Sequence, residues 1–242
     1  MEWTNQTAYK AGPGVRAERE EFMDYTIKLN AVNNKETKVK AFAAVTLGGC
    51  FKIANVAVVE GKEGRLFVSM PSFKSHDANG QTIYKDVCNP ITRQFREELY
   101  GEILGLYEDM EKAGKTEIIK AAEGKEEPEF SVSVTPYEKE GSSIRGLARV
   151  YFDNSFVVGN ISIFNGKGKE FVAMPSCRVK AVGKEGKTEF QDICFPVTRE
   201  FREKLYGEIL DVYRREKETV LGEAVGRTGE QMQAEQVLRG GR

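Results

Sequence analysis

The sequence predicts an α+β fold of two tandem units, each a small antiparallel sheet of four or five strands followed by a carboxyl-terminal α-helix. Two observations predict this fold. TRQFREELYGEIL at 92–104 recurs as TREFREKLYGEIL at 198–210, and other matching segments precede both copies in the same order. Each copy also has β-rich runs and tight-turn residues before a segment of helical periodicity.

The repeat extends well upstream of the helical segments. KDVCNP at 85–90 lies opposite QDICFP at 191–196, and LFVSMPS at 66–72 lies opposite EFVAMPS at 170–176. Chance does not produce such an ordered series of matches. The chain therefore contains two copies of a unit of roughly 85 residues.

The copies divide the chain into five parts. We place the units at 25–110 and 130–217, joined by a charged linker at 111–129. We expect a disordered N-terminal tail at 1–24, which is polar, and a flexible C-terminal tail at 218–242, which has scattered glycines.

Each unit is expected to begin with strands. Residues 39–59 contain two β-rich runs joined at Gly48-Gly49, a dipeptide that accepts the positive φ of a tight hairpin turn. Asp153-Asn154, which also tolerate this conformation, fill the same turn in the second copy. Further strands are predicted in RLFVSMP at 65–71 and TIYKDVC at 82–88.

A helix closes each unit. Large apolar residues recur at three- and four-residue intervals, at Phe95, Leu99, Ile103, Leu106, Tyr107 and Met110. This spacing is typical of one buried helix face, so we expect Leu99 and its counterpart Leu205 in the core and Glu98 on the exposed side. Gly101 and Gly207 lie in mid-helix, where close packing against a strand would explain a glycine.

Composition limits the possible functions. Of the 242 residues, 36 are Lys or Arg, 37 are Asp or Glu, and only His76 is a histidine. This balance excludes a polybasic protein, and a single histidine argues against His-rich metal sites. The amino terminus has no signal-peptide pattern, and no apolar stretch is long enough to span a membrane. We expect a cytoplasmic protein with no membrane association, cofactor or metal site.

Catalytic candidates are few. Asp86 and Asp192 precede Cys88 and Cys194 by two residues, which could place an acid near a nucleophile. Because no histidine or other base accompanies both pairs, we interpret the cysteines as small core residues and the aspartates as supports of a turn or helix start. Phosphate-loop and dinucleotide motifs are also absent. We therefore predict no catalytic residues and no enzymatic activity.

Basic residues gather in the loop before each helix and at the helix start. The candidate nucleic-acid-binding residues are Lys74, Lys85, Arg93, Arg96, Arg178, Lys180, Lys187, Arg199 and Arg202. One interpretation is ordinary surface charge, with arginine stems covering the sheet edge. The other is a phosphate-binding strip, because Arg93 and Arg199 fall in the first helical turn, where backbone N–H groups favour an anion and cations are uncommon.

Three segments together resemble the stage V sporulation protein G (SpoVG) septation family. They are FVAMPSCR at 171–178, FQDI at 190–193 and PVTRE at 196–200. Unit 1 resembles the family through LFVSMPSFK at 66–74 and YKDVCNPITRQ at 84–94. The resemblance covers both units but neither the tails nor the linker.

The resemblance implies a regulator that binds DNA and RNA and is linked to sporulation and division-septum formation. It also implies a homodimer of small sheet-and-helix units, with the binding surface on residues that correspond here to Lys74, Arg93, Arg178 and Arg199. Since the unit is duplicated in this chain, we expect the two copies to pair in cis as a pseudo-dimer that could self-associate further. The alternatives are a protein–protein interaction module without nucleic-acid binding and a degenerate enzyme.

Overall fold

The computed structural model describes residues 23–34, 36–122, 124, 126–137, 139–166, 168–179 and 189–239, with side chains described as far as residue 220. The predicted disordered tail at 1–24 lies outside the described residues, except for its last two.

Unit 1 is built from a sheet, a separate hairpin, a short strand and a helix. Its strands are β1 (Tyr25–Ala31), β2 (Val39–Leu47), β3 (Phe51–Glu60), β4 (Leu66–Ser69), β5 (Ser72–His76), β6 (Thr82–Asp86) and β7 (Cys88–Pro90), and its helix is α1 (Arg93–Lys112). Strands β1 to β4 form the antiparallel sheet, and β5 pairs only with β6 among the described strands.

Unit 2 repeats this arrangement after an additional strand, β8 (Glu117–Lys120). Its elements are β9 (Phe130–Pro136), β10 (Ile144–Phe152), β11 (Phe156–Gly166), β12 (Lys169–Ala173), β13 (Ser176–Val179), β14 (Glu189–Asp192), β15 (Cys194–Pro196) and α2 (Arg199–Arg239). Strands β9 to β12 form the sheet, and β13 pairs with β14 as a hairpin. The predicted α+β fold of two tandem sheet-and-helix units is confirmed.

The predicted hairpin turns are confirmed in both copies. Gly48 and Gly49 have φ values of 49° and 65°, and Asp153 and Asn154 have φ values of 44° and 49°. Two successive residues with positive φ are typical of the tight turns that match the twist of paired strands.

Each unit gives its last short strand to the sheet of the other unit. Strand β7 pairs with β11, where Cys88 lies opposite Val158, and β15 pairs with β3, where Cys194 lies opposite Ile53. These positions are equivalent in the two copies. The units therefore contact one another reciprocally, as subunits do across a two-fold axis.

Aromatic side chains extend the strand exchange into a shared core. The ring centroid of Phe51, in unit 1, lies 4.8 Å from that of Phe152 and 6.3 Å from that of Phe201, both in unit 2. Its counterpart Phe156 lies 6.4 Å from Phe95 of α1. All five rings are fully buried. Since burial of one such side chain stabilises a fold by about 1.5–3 kcal/mol, each unit stabilises the other.

Both helices begin at a threonine cap. The Phe95 N–H donates to Thr92 Oγ1, and the Phe201 N–H donates to Thr198 Oγ1, each at 3.3 Å. The predicted face of α1 is buried through Phe95, Leu99, Ile103, Tyr107 and Met110. Leu205 is likewise fully buried in α2.

Two details of the helix prediction are wrong. Glu98 is half-buried rather than exposed, because its Oε1 accepts a hydrogen bond from the Tyr25 hydroxyl at 2.9 Å. Burial of Tyr25 and this carboxylate together raise the pKa of the tyrosine. A Cβ placed on Gly101 or Gly207 would meet nothing within 4 Å, so close packing does not account for either glycine.

The described part of the predicted linker at 111–129 contains strand β8 and makes hydrogen bonds to unit 1. Strand β8 pairs antiparallel with the outer edge of β1. Beyond it, the Ala122 N–H donates to Thr26 Oγ1 at 3.3 Å, and the Glu126 N–H donates to Asp24 Oδ2 at 3.2 Å. The segment thus packs along unit 1 before it reaches unit 2.

Helix α2 has 41 residues and α1 has 20. Helix α2 continues as far as Arg239, through most of the region 218–242 that was predicted to be a flexible tail. Among the helices that the structure describes, neither contains a stretch that is long and apolar enough to cross a membrane.

Alanine substitutions in the first hairpin turn test how firmly the linker packs. At either Gly48 or Gly49, alanine would have positive φ and cost about 1–2 kcal/mol in backbone strain. A Cβ on Gly48 would also meet Pro128 Cδ at 2.5 Å and the Glu126 carbonyl oxygen, whereas one on Gly49 would meet nothing within 4 Å.

We therefore expect Gly48→Ala to lower the free energy of unfolding by about 1–3 kcal/mol more than Gly49→Ala, measured by urea denaturation. Gly49→Ala is the matched control, since it carries the strain without the clash. Equal losses for the two variants would mean that the linker moves aside freely.

Candidate nucleic-acid interface

The two hairpins that stand apart from the main sheets carry three of the predicted binding residues. In the first hairpin, Lys74 lies opposite Tyr84, and Lys85 lies opposite Phe73. In the second, Arg178 lies opposite Phe190. Directly opposed residues in antiparallel strands share a face, with Cβ atoms about 4.5–5.5 Å apart. Each hairpin therefore places a cation beside an aromatic ring.

The two lysines of the first hairpin do not act on one surface. Because side chains alternate along a strand, Lys74 and Tyr84 lie on one face and Lys85 lies on the other, beside the half-buried Phe73. The candidate surface is therefore defined by the pairs Lys74–Tyr84 and Arg178–Phe190, which we call the cation–ring pairs.

The aromatic members of these pairs were missed by the sequence analysis. Tyr84 is 72% exposed and Phe190 is 69% exposed, more than the other large hydrophobic side chains that the structure describes. The sequence does show an aromatic residue at this same position of both copies. Only the strand register shows that each ring lies opposite a basic residue.

The arginines at the helix starts are engaged in ion pairs. Arg93 Nε donates to Glu97 Oε1 at 2.7 Å, and Arg199 Nε donates to Glu203 Oε1 at 2.8 Å. The threonine caps already satisfy one backbone N–H in each first turn. Exposed ion pairs of this spacing contribute only about 0.3–0.5 kcal/mol, so a phosphate could displace the glutamate from either arginine.

Arg96 and Arg202 bind the backbone of the exchanged strands. Arg96 Nη2 donates to the Pro90 carbonyl oxygen at 3.0 Å, and Arg202 Nη2 donates to that of Pro196 at 3.2 Å. Burial raises the pKa of Asp86, and the Arg96 charge partly offsets this shift. These two arginines thus have a structural role in holding each helix against the strand that precedes it.

The remaining basic candidates cannot be placed on this surface. Lys180 and Lys187, together with Lys184 between them, fall in the segment 180–188, which lies outside the described residues.

The cysteines at the strand exchange have the properties of core residues. Cys88 and Cys194 are fully buried, and the two thiols interact with each other. Burial and the hydrogen bond with Cys88 raise the pKa of Cys194. Catalytic thiolates have a lowered pKa instead. The neighbouring aspartates, Asp86 and Asp192, lie opposite serines in the hairpin strands, and the charge of Arg96 in the first turn of α1 acts on Asp86.

Comparison with known proteins gives a family for this arrangement. A family model described as SpoVG matches the chain twice, at residues 23–109 and 129–215. These two matches coincide with the two sheet-and-helix units.

Individual relatives match a length of about one unit. A septation protein SpoVG of Symbiobacterium thermophilum is 38% identical over 93 residues, which are 38% of this chain and 63% of the relative. The protein of the same name from Treponema denticola is 41% identical over 70 residues, 29% of this chain and 70% of the relative. That of Archaeoglobus fulgidus is 37% identical over 82 residues, 34% of this chain and 89% of the relative. Since the two family-model matches span well over half of the sequence, the chain belongs to the SpoVG family and contains two tandem copies of its unit.

Proposed function

We propose that this chain is a cytoplasmic, non-enzymatic regulator that binds DNA or RNA and takes part in septum formation and sporulation. The names of its relatives support the link to septation. The observation that carries nucleic-acid binding is the presence of a cation–ring pair on the hairpin of each unit, Lys74–Tyr84 and Arg178–Phe190.

Local charge must supply the attraction to phosphate. The formal net charge of the chain is −1, so the field of the whole protein does not draw a polyanion to it. Lys74 and Arg178 each follow a Met-Pro-Ser segment after one intervening residue, and both are exposed. A lysine and an arginine at equivalent positions share their positive charge but not their hydrogen-bonding geometry. This favours phosphate contacts, which do not depend on base sequence.

We also propose that the two units act in cis as a pseudo-dimer, so that binding does not require a second chain. The reciprocal exchange of β7 and β15 supports this, because each sheet obtains from within the chain the strand that a homodimer would obtain from its partner. One chain then carries two hairpins, and the second hairpin binds at the raised effective concentration of a tethered site.

Binding should weaken with salt, because each neutralised phosphate releases condensed counterions. We expect Lys74→Ala/Arg178→Ala to reduce affinity for all sequences and to reduce the slope of log affinity against log salt by about 0.7–0.9 for each phosphate that is no longer neutralised. The measurement is fluorescence anisotropy with mixed-sequence labelled RNA and DNA between low and high salt.

The control removes the same charge elsewhere. Lys62, between β3 and β4, and Lys139, between β9 and β10, are exposed and belong to neither hairpin. Lys62→Ala/Lys139→Ala should leave the slope nearly unchanged. Binding that is undetectable at low salt, or a slope unaffected by Lys74→Ala/Arg178→Ala, would favour the protein-interaction alternative.

A further inference from the structure

Attraction of phosphate to the cations does not explain why the aromatic rings of the cation–ring pairs are exposed. We propose that Tyr84 and Phe190 stack on unpaired bases, so that the hairpins select single-stranded over double-stranded nucleic acid. This inference rests on the proposed nucleic-acid binding and names the class of ligand that the surface prefers.

The two copies show which property of these side chains matters. Tyr84 and Phe190 share a flat aromatic ring, but only the tyrosine has a hydroxyl group. A hydrogen bond from the hydroxyl therefore cannot be the common function, whereas contact through the ring face can. In the same way, Lys74 and Arg178 share only their charge. Each copy thus retains one ring and one cation, which match the base and the phosphate of a nucleotide.

Exposure makes the rings available to a base. The chain buries other phenylalanines completely, including Phe51, Phe95 and Phe201, yet it leaves Tyr84 72% and Phe190 69% exposed. Stacking of a base on an aromatic side chain is worth about 5- to 150-fold in affinity and tolerates every base, since each has a π-face. In a duplex the neighbouring base pairs cover these faces, so stacking would first require unpairing.

The charges around each ring restrict where the backbone of a bound nucleic acid can lie. The cation lies directly opposite the ring, whereas Asp86 and Asp192 lie on the same face, two residues further along β6 and β14 at the hairpin base. Phosphates are attracted to the cation and repelled by the carboxylate. The nucleic-acid backbone is therefore expected to follow the cation of each pair rather than the hairpin base, where the aspartate lies.

The test compares a labelled mixed-sequence 12-nucleotide RNA with the same RNA annealed to its complement, using the full chain and fluorescence anisotropy. We expect the wild type to bind the single strand at least about 10-fold more tightly than the duplex. Tyr84→Ala/Phe190→Ala should lose at least about 25-fold on the single strand, because each of the two rings contributes about 5-fold or more. The salt slope should stay unchanged in this variant, because the rings carry no charge.

Two control variants separate stacking from other effects. Tyr84→Phe/Phe190→Tyr keeps both rings and should retain affinity within about three-fold, in keeping with stacking through the ring face. Phe42→Ala/Leu147→Ala removes two other exposed apolar side chains, 44% and 43% exposed, from equivalent positions of the two sheets. This variant should bind as the wild type does.

The outcomes distinguish this inference from the function on which it rests. If neither probe binds at low salt, the proposed function itself fails. If both probes bind equally, or if Tyr84→Ala/Phe190→Ala keeps full affinity, stacking is overturned while phosphate binding stands. If the ring-preserving variant also loses affinity, the rings act through hairpin packing, which again overturns the proposal.

Discussion

Phe51→Ala should lower the free energy of unfolding by about 3–5 kcal/mol and should destabilise both units together. The Phe51 side chain belongs to unit 1 but packs against Phe152 and Phe201 of unit 2. Its removal leaves a cavity in the core that the two units share. We therefore expect a single urea transition, followed by far-UV circular dichroism, that shifts as a whole.

Phe42→Ala is the matched control for this substitution. Phe42 lies in the same sheet but is 44% exposed, so its loss should change stability by about 0.5 kcal/mol or less. Two separate transitions, with only one shifted by Phe51→Ala, would show that the units fold independently.

The same experiment tests pairing in cis. If the exchanged strands come from the same chain, the midpoint of the transition should not change with protein concentration. A midpoint that rises with concentration would mean that a second chain supplies the partner strand.

Local features of this fold could be predicted from the sequence because their causes are local. The turns at Gly48-Gly49 and Asp153-Asn154 follow from residues that tolerate positive φ, and the buried face of α1 follows from the spacing of its apolar side chains. The duplication added confirmation, since each signal occurs twice.

The strand exchange could not be predicted in the same way. Strands β7 and β15 have three residues each, too few for a periodic pattern, and their partners lie in the other unit. The pairing of β8 with β1 is similarly non-local. Each of these three strands forms because it pairs with the edge of a sheet that is distant in sequence. A segment of three or four residues is too short to show such pairing in its own sequence pattern.

Sequence reasoning selected the candidate site by charge alone and did not predict the surroundings of its side chains. It selected Arg93 and Arg199 but did not pair them with Glu97 and Glu203, although the four-residue spacing on a helix predicts the observed ion pairs. It could not identify Tyr84, because exposure depends on the hairpin standing apart from the sheet.

Leu99→Ala and Leu205→Ala should each lower the free energy of unfolding by about 2–5 kcal/mol. Both side chains are fully buried at equivalent positions of α1 and α2. Because the units share one core, each variant should again shift a single transition, measured by urea denaturation.

An exposed and a half-buried residue of α1, Gln94 and Glu98, provide the controls for this experiment. Gln94 is exposed on α1, and Gln94→Ala should change stability by about 0.5 kcal/mol or less. Glu98→Ala should have an intermediate effect of about 1–3 kcal/mol, because it leaves the hydroxyl of the buried Tyr25 without its acceptor. The expected order of destabilisation is therefore Leu99, then Glu98, then Gln94. Equal losses at Leu99 and Gln94 would contradict the assigned helix face, whereas an effect at Glu98 as small as at Gln94 would show that water replaces the carboxylate without loss.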